Sequence, residues 1–258
     1  MVGIEIRGLE KRYAVEGGAL EVLRGLDLAL EAGAITVVLG KSGCGKTTLL
    51  RLVGGLEAPD AGEIRFNGPQ KAAYVFQEPR LMPWLNVRDN VQFGLRRGEI
   101  DAGDIARIIA TVGLSGFEKS RPAQLSGGMQ QRVALARALA YRPSFIMMDE
   151  PFAALDHFTR ESMQRELLRV RRETDASILF VTHSIDEALV LADKIVLLSG
   201  GVIAREFPIP SPHPRSLLSD ALIAARRDIM AALAEADAAT AQPRPTDRHT
   251  QAYPEQKK

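Results

Sequence analysis

The stretch ITVVLGKSGCGKTTLLRLV, residues 35–53, decides the fold. Its first five residues are apolar or β-branched and read as a short strand buried on both faces. Gly40, Gly43 and Gly45 follow, and without a Cβ the backbone can turn so that successive N–H groups converge on phosphate oxygens. Lys41, Ser42 and Cys44 complete that loop, Lys46 is spaced to reach the terminal phosphates, and the Thr47 hydroxyl is a candidate ligand for Mg²⁺. Thr48, Leu49, Leu50, Leu52 and Val53 continue as a helix whose positive N-terminal end faces the bound anion. A strand, a glycine loop and a helix in this order imply a nucleoside triphosphate site.

Outward from this loop, short β-rich runs alternate with helical ones. Residues 4–9, 64–66, 145–148, 178–182 and 194–198 join 35–39 as expected strands, several of them continuously apolar as in a sheet covered on both faces. That alternation predicts an α/β fold. Between about residues 78 and 142 the strand signal gives way to helical periodicity, as in Ile105, Ile108, Ile109 and Val112, so a helical subdomain is expected within the sheet domain. The domain is expected to span 1–232. After about Ala231 the chain turns Ala-rich, then polar and proline-rich, and residues 233–258 read as a poorly ordered tail.

Composition bounds the function. The chain has 258 residues, 46% hydrophobic and 25% charged, enough for the core of one large globular domain. A net charge of +1 gives no field favouring nucleic acid or anionic lipid, and nucleic acid is not expected as a partner. No apolar run approaches the roughly 18 residues of a spanning helix, and no secretory leader is read before Ile4. The single cysteine, Cys44, fits a reducing compartment; it reads as a small space-filling residue or as an oxidation-sensitive thiol beside the phosphates.

Two further motifs carry chemistry. Leu125, Ser126, Gly127, Gly128, Met129, Gln130, Gln131 and Arg132 run into a helix, with Ser126 as its N-cap and two glycines admitting a phosphate close to its first turn. Residues 145–150 form an apolar strand ending in two carboxylates, Asp149 for Mg²⁺ and Glu150 for the hydrolytic water. The run from Leu125 resembles the signature sequence of the ATP-binding cassette (ABC) family, and it follows the phosphate loop in that family's order. The resemblance covers about residues 4–201 and implies a P-loop NTPase core with an inserted helical subdomain. It implies that Ser126, Gly127 and Gly128 close over ATP held by the opposite subunit of a head-to-tail homodimer. It also implies Glu150 as general base, His183 as the contact to the γ-phosphate and attacking water, and Gln77 as the sensor of Mg²⁺ and water. Tyr13 matches the aromatic that stacks on adenine, and Ala154, Leu155 and Asp156 match the loop that communicates between the two ATP sites.

The segment 78–91 sets Trp84, the only tryptophan, among prolines and apolar side chains, which reads either as a docking patch or as internal packing. Through Leu81, Pro83, Trp84, Val87, Asp89, Asn90 and Val91, with Phe152, Leu155, Asp156, Thr159 and Arg160, it resembles the nitrate, sulfonate and taurine importers. Within that group the compact link between Gly68 and Tyr74 and the run from Ala136 to Pro143 are most similar to the aliphatic sulfonate importer ATPases. That resemblance implies an integral membrane permease as partner, an extracytoplasmic binding protein acting indirectly, and a peripheral position on the cytoplasmic face of the membrane. Taurine, nitrate and a pyrimidine precursor stay open as cargo, and a cassette ATPase outside transport is the competing class.

Overall fold

The computed structural model describes residues 2–16, 18–68, 71–96 and 99–241. Its centre is a six-stranded sheet in the order β5-β6-β7-β3-β8-β9. Strands β3 (Ile35–Leu39), β5 (Ala72–Val75), β6 (Phe145–Asp149), β7 (Ser177–Thr182) and β8 (Lys194–Ser199) are parallel, and β9 (Val202–Pro208) closes one edge antiparallel. β3 and β6 are buried along their whole length, which is why both are read so directly from apolar runs.

A second sheet, β2-β1-β4, lies across one face. Here β1 (Val2–Val15) and β2 (Gly18–Glu31) form a long antiparallel hairpin, and β4 (Ala61–Phe66) pairs along the other side of β1. Helix α1 (Lys46–Val53) is sandwiched between the sheets: Leu49, Leu50, Leu52 and Val53 pack with Ile4, Ile6, Leu26 and Leu28 of the hairpin and with Val38, Leu179 and Val196 of the large sheet. The alternate residues Val37, Leu39, Ile178, Phe180 and Ile195 point to the opposite face and join a second core with the remaining helices.

Between β5 and β6 the chain is helical, with α2 (Val87–Val91), α3 (Ala102–Thr111), a 3₁₀ turn Pro122–Gln124 and α4 (Gly127–Ala140). Ile105 and Ile109 of α3 pack into the same core as Val133 of α4 and the sheet. Helices α5 (His157–Thr174), α6 (Ile185–Leu191) and α7 (Asp220–Ala241) complete the fold. α7 runs past residue 232, so the first part of the expected tail is helical; alanine is the strongest helix former, and Leu222, Ile229 and Ala232 anchor the helix by burial. The rest of that expected tail lies outside the described residues. Among the described residues no helix is long and apolar enough to cross a membrane.

Candidate functional site

The loop between β3 and α1 sits at the C-terminal edge of the large sheet, beside the ends of β6 and β7. Two glycines are sterically required there. A Cβ on Gly40 would stand 2.5 Å from the Leu198 carbonyl oxygen and 2.6 Å from Cys44 Sγ, and Gly45 adopts φ 106° with Leu23 Cδ2 only 2.9 Å from where its Cβ would be. Gly45 caps α1 without a side-chain hydrogen bond, so the N–H groups of the first turn keep their capacity for an anion. Lys46 is 6% exposed, and its Nζ donates to the carbonyl oxygens of Gly40 at 2.8 Å and Lys41 at 2.9 Å. Cys44 is half-buried and packs beside Gly40, and its burial pushes the thiol pKa up against the opposing charge of Lys46. That environment favours the space-filling reading of Cys44.

A cavity of about 460 Å³ opens above this loop. Ser42, Gly43, Gly45, Lys46, Thr47 and Thr48 form one wall, and Gln77, Glu150 and His183 form the other, with Val22 of β2 at the side. Thr47 Oγ1 donates to Asp149 Oδ1 at 3.2 Å, which joins the glycine loop to the end of β6. Asp149 is buried, and burial pushes its carboxyl pKa up while the Thr47 hydrogen bond works the other way. Glu150 stands in the left-handed region at φ 45°, held there by its N–H donating to Val181 O at 3.0 Å. A non-glycine residue in that region costs about 1–3 kcal/mol, and here it turns the carboxylate out of the sheet into the cavity. His183, just past β7, brings Nδ1 to 3.0 Å from Glu150 Oε2. Gln77 follows β5 on a segment anchored by Gln131 Nε2, which donates to Phe76 O at 3.1 Å.

The fold therefore gathers Ser42, Gly43, Gly45, Lys46, Thr47, Thr48, Gln77, Glu150 and His183 around one space, with Asp149 reached through Thr47. Other expected residues stand apart. Tyr13 is outside the cavity lining; its hydroxyl donates to Glu57, and the Lys11 ammonium lies 5.5 Å from its ring centre. Ser126 caps α4 by accepting from Met129 N at 3.2 Å, and with Gly127 it is exposed and absent from the cavity wall. Gly128 faces Leu155, whose Cδ2 would be 3.3 Å from a Cβ added there. Sequence reasoning missed Val22, because β2 was not read as a strand, and it missed the buried Glu187, which Thr182 at the end of β7 and Arg160 from α5 partner.

A buried strand, a glycine loop ahead of a helix, and carboxylates at the neighbouring strand end are the architecture of a P-loop nucleoside triphosphatase. Comparison with known proteins narrows this. The family model described as ABC transporter matches residues 23–153. The aliphatic sulfonates import ATP-binding protein SsuB 1 of Rhizobium johnstonii is 48% identical over 222 residues, covering 82% of this chain and 79% of its own length. Its namesake in Rhodococcus jostii is 42% identical over 241 residues, covering 92% and 96%. Among solved structures, the dimeric ATP-binding cassette MJ0796 in a post-hydrolysis state bound to ADP and Pi superimposes with a TM-score of 0.75 at 29% identity, covering 81% of this chain and all of that one. The chain belongs to the ABC transporter family, and it is an ATP-hydrolysing cassette of that family.

Proposed function

We propose that this chain is the ATP-hydrolysing subunit of an importer for aliphatic sulfonates, working as a homodimer docked on a membrane permease at the cytoplasmic face. The observation that carries the chemical half is the cavity in which the glycine loop with Lys46 faces the Glu150–His183 pair. In this reading the loop N–H groups and Lys46 hold the β- and γ-phosphates of ATP, with Lys46 exchanging two neutral carbonyl acceptors for charged phosphate oxygens. Tyr13 contributes from the edge as the adenine contact. Glu150 takes the proton from the attacking water, and His183, hydrogen-bonded to it, orients that water toward the γ-phosphate.

The donor set fits Mg²⁺. A hydroxyl and a buried carboxylate 3.2 Å apart, with the Gln77 amide across the cavity, are the hard oxygen donors that ion prefers. Thr47 and Asp149 would hold it, Asp149 through water, with Gln77 as a further contact. When bound, the ion neutralises charge developing between the β- and γ-phosphates.

The cargo and assembly rest on relatives. The similar chains from Rhizobium johnstonii and Rhodococcus jostii carry the name aliphatic sulfonates import ATP-binding protein, and the MJ0796 cassette is dimeric. The exposure of Ser126 and Gly127 supports their use by a second subunit, and Trp84, 67% exposed, supports the docking-patch reading of residues 78–91 over internal packing. An extracytoplasmic binding protein would deliver cargo to the permease. The test is growth of a deletion strain on alkanesulfonates or taurine as sulfur source and on nitrate as nitrogen source, complemented by wild type or Glu150→Gln. A defect confined to alkanesulfonates and rescued by wild type alone is expected. A defect on nitrate or taurine instead would overturn the cargo, and rescue by Glu150→Gln would overturn the role of Glu150.

A further inference from the structure

Behind Glu150 and His183 lies a second cavity of about 300 Å³, walled also by Ala153, Arg160, Ser184 and Glu187. Glu187, in the first turn of α6, is 5% exposed, and a carboxylate so buried is tolerated only with partners. Thr182 Oγ1 donates to its Oε2 at 2.6 Å, and Arg160 Nε lies 3.5 Å from its Oε1. Both partners reach further. Thr182 Oγ1 also accepts from Ser184 N at 3.0 Å, so it ties together the residues on either side of His183. Arg160, from α5, donates through Nη2 to the Leu155 carbonyl at 2.9 Å. Leu155 is the residue packed against Gly128 at the start of α4.

We propose that Arg160 and Glu187 are positioning residues, forming a strut that ties the loop at 153–156 to the strand end carrying His183 and so holds the Glu150–His183 pair in register. The proposal rests on the reading of Glu150 as the base. Neither residue of the strut touches the cradle wall formed by Ser42 to Thr48. Their removal therefore leaves nucleotide binding in place and misaligns the group that acts on water, where a displacement of about 1 Å can lower the rate on the order of a hundredfold. The guanidinium meets the Leu155 carbonyl in one direction and the Glu187 carboxylate in the other, so a single side chain spans from the loop facing α4 to the first turn of α6.

The experiment uses the full chain with Arg160→Ala, Glu187→Gln and the double variant. Glu187→Gln keeps the side-chain shape and the Thr182 contact, so it reports on the charge with the least disturbance of folding. Measured are kcat for ATP, the dissociation constant of a fluorescent ATP analogue, and the thermal midpoint. Each single variant is expected to lower kcat by about tenfold or more with affinity within about twofold of wild type, and the double variant to be no slower than the slower single one, as coupled residues require. Wild-type kcat in Glu187→Gln, multiplicative losses in the double variant, or affinity and thermal midpoint falling together with kcat would each overturn the strut. Glu150→Gln is measured alongside: normal hydrolysis by that variant sinks the assignment of the base, whereas an inactive Glu150→Gln beside fully active strut variants sinks the strut alone.

Discussion

Lys46 is held in a position that a phosphate can take over. Its ammonium is buried and satisfied by two backbone carbonyls, neutral acceptors that a triphosphate would replace with charged ones. Lys46→Ala removes the buried charge without disturbing the glycines, and nucleotide affinity is expected to fall at least about tenfold, or roughly 1.4 kcal/mol, in a titration with a fluorescent ATP analogue. Unchanged affinity would refute its role. Two residues earlier, burial raises the Cys44 pKa, so its thiolate fraction at neutral pH lies below that of a free cysteine. Alkylation by iodoacetamide at pH 7.5 is therefore expected to run slower than for glutathione, and to accelerate as pH rises through the raised pKa; a rate at or above that of glutathione would contradict it. The placement of Lys46, Thr47, Asp149 and Glu150 beside one another was legible because each lies in a short run at the end of an apolar strand. Arg160 and Glu187 were not, since what makes them a pair is a contact between α5 and α6 that no local pattern announces.

Helix α2 illustrates how an element can be built around one polar side chain. Asn90 has no exposed surface, and it accepts from Met82 N at 2.8 Å while its Nδ2 faces the carbonyl oxygens of Met82, Leu85 and Asn86 at 3.0–3.1 Å. Those contacts fold the segment ahead of α2 onto the helix and leave Trp84 outside. Asn90→Leu keeps the branched side-chain shape and strands buried backbone groups, at an expected cost of roughly 2–4 kcal/mol. Thermal unfolding should shift down by several degrees, and because Trp84 is the only tryptophan, its fluorescence anisotropy should fall. Unchanged stability and anisotropy would mean the loop is held otherwise. Strands β3, β6, β7 and β8 were readable because burial on both faces makes them continuously apolar. β2 was not, because one face meets solvent with Glu21, Arg24 and Asp27, and Gly25 at φ 65° with the register shifts along the hairpin breaks the alternation of its leucines. The sequence also extended the poorly ordered tail back over residues that form the end of α7, where alanine content reads as low complexity yet favours helix.

At the scale of the whole molecule, one chain carries two phosphate-directed motifs that do not meet. The loop after β3 lines the cavity with Glu150, while the glycines opening α4 lie elsewhere, Gly127 exposed and Gly128 half-buried against Leu155. A site that uses both must be completed by a second copy, and a head-to-tail pair satisfies both chains at once through a two-fold axis. In such a pair ATP is part of the interface, so association should depend on nucleotide binding and be released by hydrolysis. Glu150→Gln, keeping Lys46 and the glycines, is expected to sediment as a dimer in Mg·ATP and as a monomer without nucleotide. Lys46→Ala should stay monomeric in both conditions. Ser126→Arg leaves the cavity wall intact and gives up only the cap hydrogen bond from Met129 N, at about 1 kcal/mol, yet it sets a long cation where the partner's nucleotide would lie. In the Glu150→Gln background it should abolish the ATP-dependent dimer while leaving ATP bound to the monomer. If the Ser126→Arg chain dimerises normally, Ser126 and Gly127 face solvent in the assembled protein and the two motifs serve separate ends.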